Sequence, residues 1–304
     1  MENQTVVTDL ILSGLSDLPV MELILFLLFL CVYLMTLVVN LLIFLLILLD
    51  SHLHSPMYFF LGNLAGLDMC SSSITTPRML FDLSTKSRVI SIRACVTQVY
   101  FFIFGVASEI QLLAIMSYDR YVAICHPLHY MQIMHWKTCV LLTGAVWAAA
   151  SIYSLIHTLF TLRLTFCASN TVHSFFCELP QLFQISCTDT YINVLSVFVL
   201  GGLLGLFSLI MTFSPYVCIL LTVLKMPAMT KRLKAFSTCG SHLTVVFIFY
   251  GTILFNYFRP TTSYYAADKL VSVFYTMINP LLNPIIYSLR NQELKASLRR
   301  IVKL

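Results

Sequence analysis

Residues 23–49 read LILFLLFLCVYLMTLVVNLLIFLLILL and contain no Asp, Glu, Lys or Arg. A helix needs about 20 apolar residues to cross a bilayer, so this stretch is long enough to span one. Six further stretches carry at most one charged side chain and have sufficient length: 56–77, 94–118, 138–162, 190–224, 235–258 and 270–289. The sequence therefore predicts an all-α membrane protein, built as a bundle of seven transmembrane helices.

The segments between these stretches are too short to fold alone. The chain has 304 residues, of which 10% are charged, against roughly a quarter in soluble proteins. Even the longest segment, 163–189, is shorter than the ~40 residues that a core of its own needs. These lengths exclude a receptor kinase, a tethered enzyme domain, a nucleic-acid binder and a secreted disulfide scaffold. We predict an extracellular N-terminus at 1–22, the bundle at 23–289 and a cytoplasmic amphipathic tail helix at 290–304.

The orientation is predicted from the positive charges near the helix ends. With the N-terminus outside, the inner segments hold eleven Lys and Arg residues and the outer segments hold seven. Asn3, Gln4 and Thr5 form a glycosylation acceptor, which functions on the outer side. Residues 1–22 carry acidic side chains and no Lys or Arg, unlike a signal peptide. We therefore expect an extracellular N-terminus with a glycan at Asn3.

Four of the ten cysteines fall on the predicted outer side, where oxidising conditions favour disulfides. Cys95 opens the third helix, and Cys167, Cys177 and Cys187 lie in the 163–189 segment. One bridge therefore joins this segment to the bundle, and a second closes the segment on itself. Four cysteines allow three pairings, and the residues alone leave the partner of Cys95 open.

Several polar side chains fall at similar depth inside the predicted helices, about 9–18 Å from their inner ends at 1.5 Å per residue. They are Asn40, Asp68, Glu109, Asn279 and Asn283. Ionisable groups at this depth are costly and usually functional. Two carboxylates there share a cation such as Na⁺ or hold a proton. The alternative is an uncharged hydrogen-bonded cluster that joins the helices.

The end of the third helix, residues 116–130, reads MSYDRYVAICHPLHY. Its Asp-Arg-Tyr triplet resembles the motif of rhodopsin-like (class A) G-protein-coupled receptors, and the extended form resembles the olfactory (odorant) receptors among them. Three other stretches are similar to the same family: PMYFFLGNLAGLD at 56–68, KAFSTCGSHLTVVFIFYG at 234–251 and NPLLNPIIYSLRN at 279–291. The resemblance covers nearly the whole chain. It implies a seven-helix receptor without enzymatic activity.

The resemblance implies roles for residues at the inner end of the bundle. Asp119 would hold Arg120 in the resting state, and Arg120 would contact the G protein once the sixth helix moves outward. Tyr121 completes the triplet, while Tyr216 and Tyr287 would support the active state.

The resemblance also implies sites elsewhere in the chain. Asp68 and Glu109 would form a sodium-type site. The chain departs from the family pattern at Pro215, which interrupts a Ser–Tyr pair before Tyr216 and is expected to bend the fifth helix. Tyr250 stands where other rhodopsin-like receptors have Trp. The disulfides implied by the family are Cys95–Cys177 and Cys167–Cys187.

A ligand pocket is expected in the outer half of the bundle. The third-helix candidates share one face by their spacing, and analogy with the family adds the others. They are Phe102, Ile103, Val106, Ala107, Leu200, Gly201, Leu204, Tyr250, Ile253, Asn256, Val273 and Thr276. This set includes no Asp, Glu, Lys or Arg, which favours a small, mostly apolar neutral ligand with one hydrogen-bonding group. Asn256, Thr276, Tyr250 and His157 are candidates to orient that group, and packing between helices is the alternative for each.

The expected function is that of an odorant-activated receptor in the plasma membrane. It would activate an olfactory-type stimulatory heterotrimeric G protein, with cAMP as the signal. Its partners would be a small volatile odorant, this G protein and membrane lipid, with no nucleic acid and no cofactor besides Na⁺ at Asp68 and Glu109. The alternative is a transporter or proton channel that uses these carboxylates as a relay. That alternative requires inverted repeats, and the sequence contains no convincing internal repeat.

The tail shows the pattern of a helix that lies along a membrane surface. Leu294, Leu298 and Ile301 share one helical face, and basic residues lie between them. The spacing predicts an amphipathic helix at the inner surface of the bilayer.

Overall fold

The computed structural model of the chain describes residues 8–16, 18–167, 170–225, 229–257 and 265–302. The predicted glycosylation site at Asn3 lies outside these ranges. The side chains of Asn256 and Ile301 also lie outside the described part, although their backbone is helical.

Within the described residues, seven long helices follow one another and an eighth, shorter helix ends the chain. They are α1 (Pro19–Leu49), α2 (Pro56–Thr85), α3 (Ile92–Cys125), α4 (Trp136–Thr161), α5 (Tyr191–Leu224), α6 (Met229–Tyr257), α7 (265–290) and α8 (Gln292–Val302). Single helical turns occupy Ser51–Leu53, Pro127–His129, Tyr130–Ile133 and Leu179–Gln184. Among the described helices, α1, α3, α4, α5 and α7 are long and apolar enough to cross a membrane.

The helix α2 has the length of a membrane crossing but a more polar composition, and α6 is apolar over Cys239–Phe255. In α2, Asp68, Ser72 and Thr75 are each 1% exposed. In α6, Ser241 and His242 are buried as well. These polar side chains therefore point into the bundle, which is where a membrane helix tolerates them.

Several helix ends follow directly from the local sequence. α1 and α2 each begin with a proline, Pro19 and Pro56, whose missing N–H costs nothing in a first turn. The Ser91 hydroxyl accepts a hydrogen bond from the Ala94 N–H at 3.3 Å and caps α3. Lys86, with φ of 57°, ends α2 in the left-handed conformation.

The outside of the bundle carries large apolar side chains. Leu141 of α4 is 73% exposed, Leu203 of α5 63% and Phe247 of α6 62%. An apolar surface of this extent marks a region that contacts something other than water. Around helices of membrane-spanning length, that contact is the hydrocarbon of the bilayer.

A small β-sheet lies at the end of the bundle away from α8, and the all-α prediction missed it. β1 (Asp9–Leu12) is its central strand, antiparallel to β2 (Val89–Ser91) and parallel to β3 (Thr171–Val172). Alternate residues of β1, Leu10 and Leu12, are at most 1% exposed. The strands have two to four residues each, too few for a recognisable alternation in the sequence.

Two disulfides fasten the segment between α4 and α5. Cys95 at the start of α3 is bonded to Cys177, with Cα atoms 5.5 Å apart. Cys167 is bonded to Cys187 within the segment, with Cα atoms 5.9 Å apart. The structure thus contains the two pairs implied by the family resemblance. Phe176, next to the first bridge, is fully buried.

The tail helix α8 is attached to the inner end of the bundle. The Asn291 side chain accepts hydrogen bonds from the N–H groups of Glu293 and Leu294 at 2.9 and 3.2 Å and so caps its start. Leu294 is 2% exposed, whereas Leu298 is 37% exposed. The Tyr58 hydroxyl donates to Glu293 at 2.6 Å, which connects α8 to α2.

Candidate functional site

A cavity of about 260 Å³ lies between α3, α4, α5 and α6, and we call it the outer cavity. Leu179, from the disulfide-bonded segment, also lines it. Its described lining includes no Asp, Glu, Lys or Arg. The site therefore fits a small neutral molecule and has no counter-ion for a charged one.

Most of the predicted pocket residues line the outer cavity, and they come from α3, α5 and α6. These are Phe102, Ile103, Val106, Ala107, Gly201, Leu204, Tyr250 and Ile253.

The structure places three of the predicted pocket residues elsewhere. Leu200 is absent from the cavity lining because α5 is π-helical over Val197–Gly201, and the wider turn changes which side chains face inward. Val273 packs into the buried cluster around Phe176 instead. Thr276 lines a separate, smaller cavity.

Of the α4 residues in the cavity wall, the sequence analysis named His157 as a candidate and missed Tyr153. Tyr153 and His157 both line the cavity, and their rings are 4.6 Å apart, edge to face. Residues four apart share a helix face, so the spacing indicates this pair once α4 is known to border the pocket. At Gly201 of α5, a Cβ atom would lie 3.1 Å from the Tyr153 hydroxyl, so the absence of a side chain there keeps the cavity open.

Below the outer cavity lies a polar centre, which we define as Asp68, Glu109 and Asn283. The Asn283 amide donates to Asp68 at 3.0 and 3.3 Å and to Glu109 at 3.0 Å. All three residues are at most 6% exposed. The amide is neutral and does not compensate their charge. The two buried carboxyl groups therefore require either a shared cation or a proton. Within the described residues, no group of three or more His, Cys, Asp or Glu side chains forms a metal site.

Two other predicted amides lie nearby but make separate contacts. Asn40 donates to the Pro280 carbonyl at 2.9 Å and joins α1 to α7. Asn279 donates to the Thr252 hydroxyl at 3.4 Å, which joins α7 to α6.

A small cavity of about 20 Å³ separates the outer cavity from the polar centre. Phe102, Val106 and Ile253 line both cavities, and Glu109 lines the small one. One layer of side chains thus lies between the outer cavity and the small cavity beside Glu109.

At the inner end of α3, Asp119 and Arg120 form an ion pair. The Tyr130 hydroxyl also donates to Asp119, at 2.7 Å. Burial and the neighbouring Asp119 carboxylate raise the pKa of Tyr130 far above its ordinary value, so it remains a proton donor. The resemblance assigns this ion pair to the resting state, and that role stays a prediction. The Tyr121 hydroxyl, by contrast, lies 3.0 Å from His126.

Tyr216, His242 and Tyr287 form an aromatic cluster that joins α5, α6 and α7. The Tyr216 hydroxyl lies 2.6 Å from His242 Nδ1, and the two rings are stacked. The ring of Tyr287 is 6.3 Å from that of His242. Pro215 lies within a continuous helix, and Tyr216 is buried.

Comparison with known proteins identifies the family. A family model described as olfactory receptor matches residues 29–303. Olfactory receptor 5AR1 of Mus musculus is 46% identical over 302 residues, which cover 99% of this chain and 97% of the relative. Olfactory receptor 1M1 of Homo sapiens is also 46% identical, and olfactory receptor 1G1 of Gorilla gorilla gorilla is 47% identical. Each of these two alignments covers 99% of this chain and 96% of the relative.

The chain belongs to the olfactory receptor family.

Membership in the olfactory receptor family confirms the predicted seven-helix bundle, the odorant-activated G-protein-coupled function and the multi-pass location in the plasma membrane. It does not favour the transporter alternative. The relatives that match are receptors by name. The extracellular N-terminus stays a prediction.

The sequence predicted no role for His242 of this olfactory receptor. His242 lies in the stretch KAFSTCGSHLTVVFIFYG, and the structure places it at the centre of the aromatic cluster. The available signal was an ionisable side chain within a predicted membrane helix.

Proposed function

We propose that this olfactory receptor binds a small, neutral, mostly apolar odorant in the outer cavity and activates an olfactory-type stimulatory G protein. The observation that carries the proposal is the uncharged lining of a 260 Å³ cavity. An amine or carboxylate would be buried there without a counter-ion, which is costly.

The proposed mechanism follows the order of the sites along the bundle, from the outer cavity through the polar centre to Arg120. A bound odorant presses on Phe102 and Ile253, the side chains shared with the small cavity beside Glu109. Rearrangement of the polar centre would then release α6 from its contact between His242 and Tyr216. Arg120 would leave Asp119 and contact the G protein. Only an odorant that binds the active state more tightly shifts this equilibrium.

A cAMP assay tests the proposal directly. Cells that express the receptor and the stimulatory G protein are exposed to a broad panel of neutral odorants. We expect a concentration-dependent rise in cAMP for some odorants, and its loss in Arg120→Ala at equal surface expression. An undiminished cAMP signal in Arg120→Ala contradicts the mechanism. Cells that supply a G protein of another type test the proposed partner, and we expect no cAMP response in them.

We also propose that the polar centre binds Na⁺ or a proton. Carboxylate and amide oxygens are the ligands of hard cations, so Asp68 and Glu109 fit this role with Asn283 beside them. Asp68→Asn and Glu109→Gln should each make the odorant response independent of Na⁺. If the wild-type response does not change when choline replaces Na⁺, the polar centre does not bind Na⁺, and the two carboxyl groups share a proton instead. Ion flux through the wild type, lost in both variants, would instead support a transporter.

The proposed orientation places the N-terminus and both disulfides outside the cell. We expect a glycan at Asn3, because the acceptor would then face the secretory lumen. Asn3→Gln should abolish the mobility shift that a glycosidase produces. A glycosidase-insensitive wild type contradicts glycosylation at this site.

A further inference from the structure

His157 is a polar side chain in the wall of the outer cavity whose Nε2 atom has no hydrogen-bond partner in the described part of the chain. The residue is 3% exposed, so water does not replace that partner freely. Buried polar atoms in native proteins are almost always paired, and each exception calls for an explanation. A ligand in the cavity would provide the missing partner.

The surroundings of His157 fix its ring and leave it no other partner nearby on α4. The ring of Tyr153, one turn earlier, packs edge to face against it at 4.6 Å. The hydroxyl of Ser154 donates to the Tyr100 carbonyl at 2.5 Å, and that of Thr158 donates to the Ser154 carbonyl at 2.8 Å. The hydroxyls of both α4 neighbours are thus engaged with backbone.

The chemistry of the cavity limits what His157 binds. A charged imidazolium would have no counter-ion in the described lining, so the neutral ring is favoured. A neutral imidazole has one donor and one acceptor nitrogen. It pairs with a single hydroxyl or carbonyl oxygen.

We propose that His157 Nε2 hydrogen-bonds the one oxygen group of the odorant, so that this receptor selects alcohols and ketones over hydrocarbons of equal size. The inference rests on the proposed function, because it places the odorant in the outer cavity. The outer cavity, about 260 Å³ in volume, has the size of a site for a small molecule. An odorant of about ten non-hydrogen atoms fits this space.

The test measures cAMP responses of the full receptor to 1-nonanol, 2-nonanone and decane, with decane also used as a competitor. His157→Phe keeps an aromatic ring but removes the nitrogen, and His157→Gln keeps a polar group that donates and accepts. We expect His157→Phe to raise the EC50 of the alcohol and the ketone roughly tenfold, which is about 1.4 kcal/mol. Decane should be unaffected, and His157→Gln should restore most of the response. Thr158→Val, which removes a buried hydroxyl that contacts only its own helix, is the matched control.

Three results overturn the inference while the proposed function stands. They are an unchanged EC50 in His157→Phe, an equal loss for all three probes, and a wild type that responds to other odorants but to none of these. A wild type silent to the whole panel overturns the proposed function as well. Surface expression is measured for every variant, and His157→Leu replaces His157→Phe if the latter is retained in the cell.

Discussion

Arg300 of α8 donates to the carboxylate of Asp50, the residue that follows α1, from Nη2 at 2.5 Å and from Nε at 3.2 Å. Asp50 also accepts from the backbone N–H of His52 at 3.0 Å. The ion pair connects the tail helix to the first inner loop across 250 residues of sequence. The position of α8 therefore depends on a charge outside the helix.

Asp50→Asn should loosen the attachment of α8. Partly exposed ion pairs contribute about 0–1 kcal/mol, so we expect a modest effect. Labelling of Leu294→Cys by a membrane-impermeant maleimide in inside-out vesicles should accelerate roughly two- to fivefold. Ser51→Ala changes an exposed side chain of the same loop and serves as the control. Equal labelling in Asp50→Asn and the control would show that the ion pair does not hold α8.

Tyr216→Phe should weaken the contact between α5 and α6. The substitution removes the hydroxyl beside His242 Nδ1 and leaves a buried nitrogen unpaired, at a cost of about 1–3 kcal/mol. We expect lower thermal stability of the purified receptor. In the double variant with His242→Phe, the two losses should not add, because they concern one contact. Additive losses would contradict the pairing.

Asn283→Ala should be more harmful than the loss of an ordinary helix asparagine. Asn283 is the amide donor to both buried carboxylates, and uncompensated buried charge costs about 3–5 kcal/mol. Surface expression should fall sharply, whereas Asn63→Ala should be mild because Asn63 donates to its own helix at Phe59. Addition of Asp68→Asn to Asn283→Ala should recover expression. The absence of any recovery would argue against charge repulsion as the cause.

Gly201→Ala should reduce responses to the largest odorants. The added methyl group would lie 3.1 Å from the Tyr153 hydroxyl and narrow the outer cavity. Gly144→Ala is the matched control, since a Cβ there meets no atom within 4 Å. Both substitutions stabilise a helix by about 0.5–1 kcal/mol. A difference between their odorant size limits therefore reports on the cavity, and identical limits would place the ligand elsewhere.

The two disulfides should differ in importance. Cys95–Cys177 closes a loop with a sequence separation of 82 residues and Cys167–Cys187 one of 20. Longer loops gain more from closure, within a range of about 2–5 kcal/mol. Cys95→Ser with Cys177→Ser should lower surface expression more than Cys167→Ser with Cys187→Ser. The reverse order would show that the outer segment folds largely without its link to α3.

The apolar stretches predicted the bundle well because lipid demands long, uncharged helices. The pocket was predicted in part. Spacing located the α3 face, whereas the α5 candidates came from analogy with the family, which does not show where a helix departs from its regular winding. The π-helical turn at Val197–Gly201 breaks that regularity, so Gly201 lines the cavity and Leu200 does not. His157 was a candidate from the sequence, but Tyr153 was missed because its place in the wall depends on which helices are neighbours, and spacing along one helix does not contain that information.

The sheet at the outer end has a consequence for biosynthesis. Ile11 in β1 pairs with Thr171 in β3, so the strand cannot find this partner until four helices have entered the membrane. Contacts between distant parts of a chain form late and slowly. The edge of β1 that pairs with β3 therefore stays unpaired until the ribosome has synthesised Thr171. Until then, that edge of β1 is open to pairing with another strand.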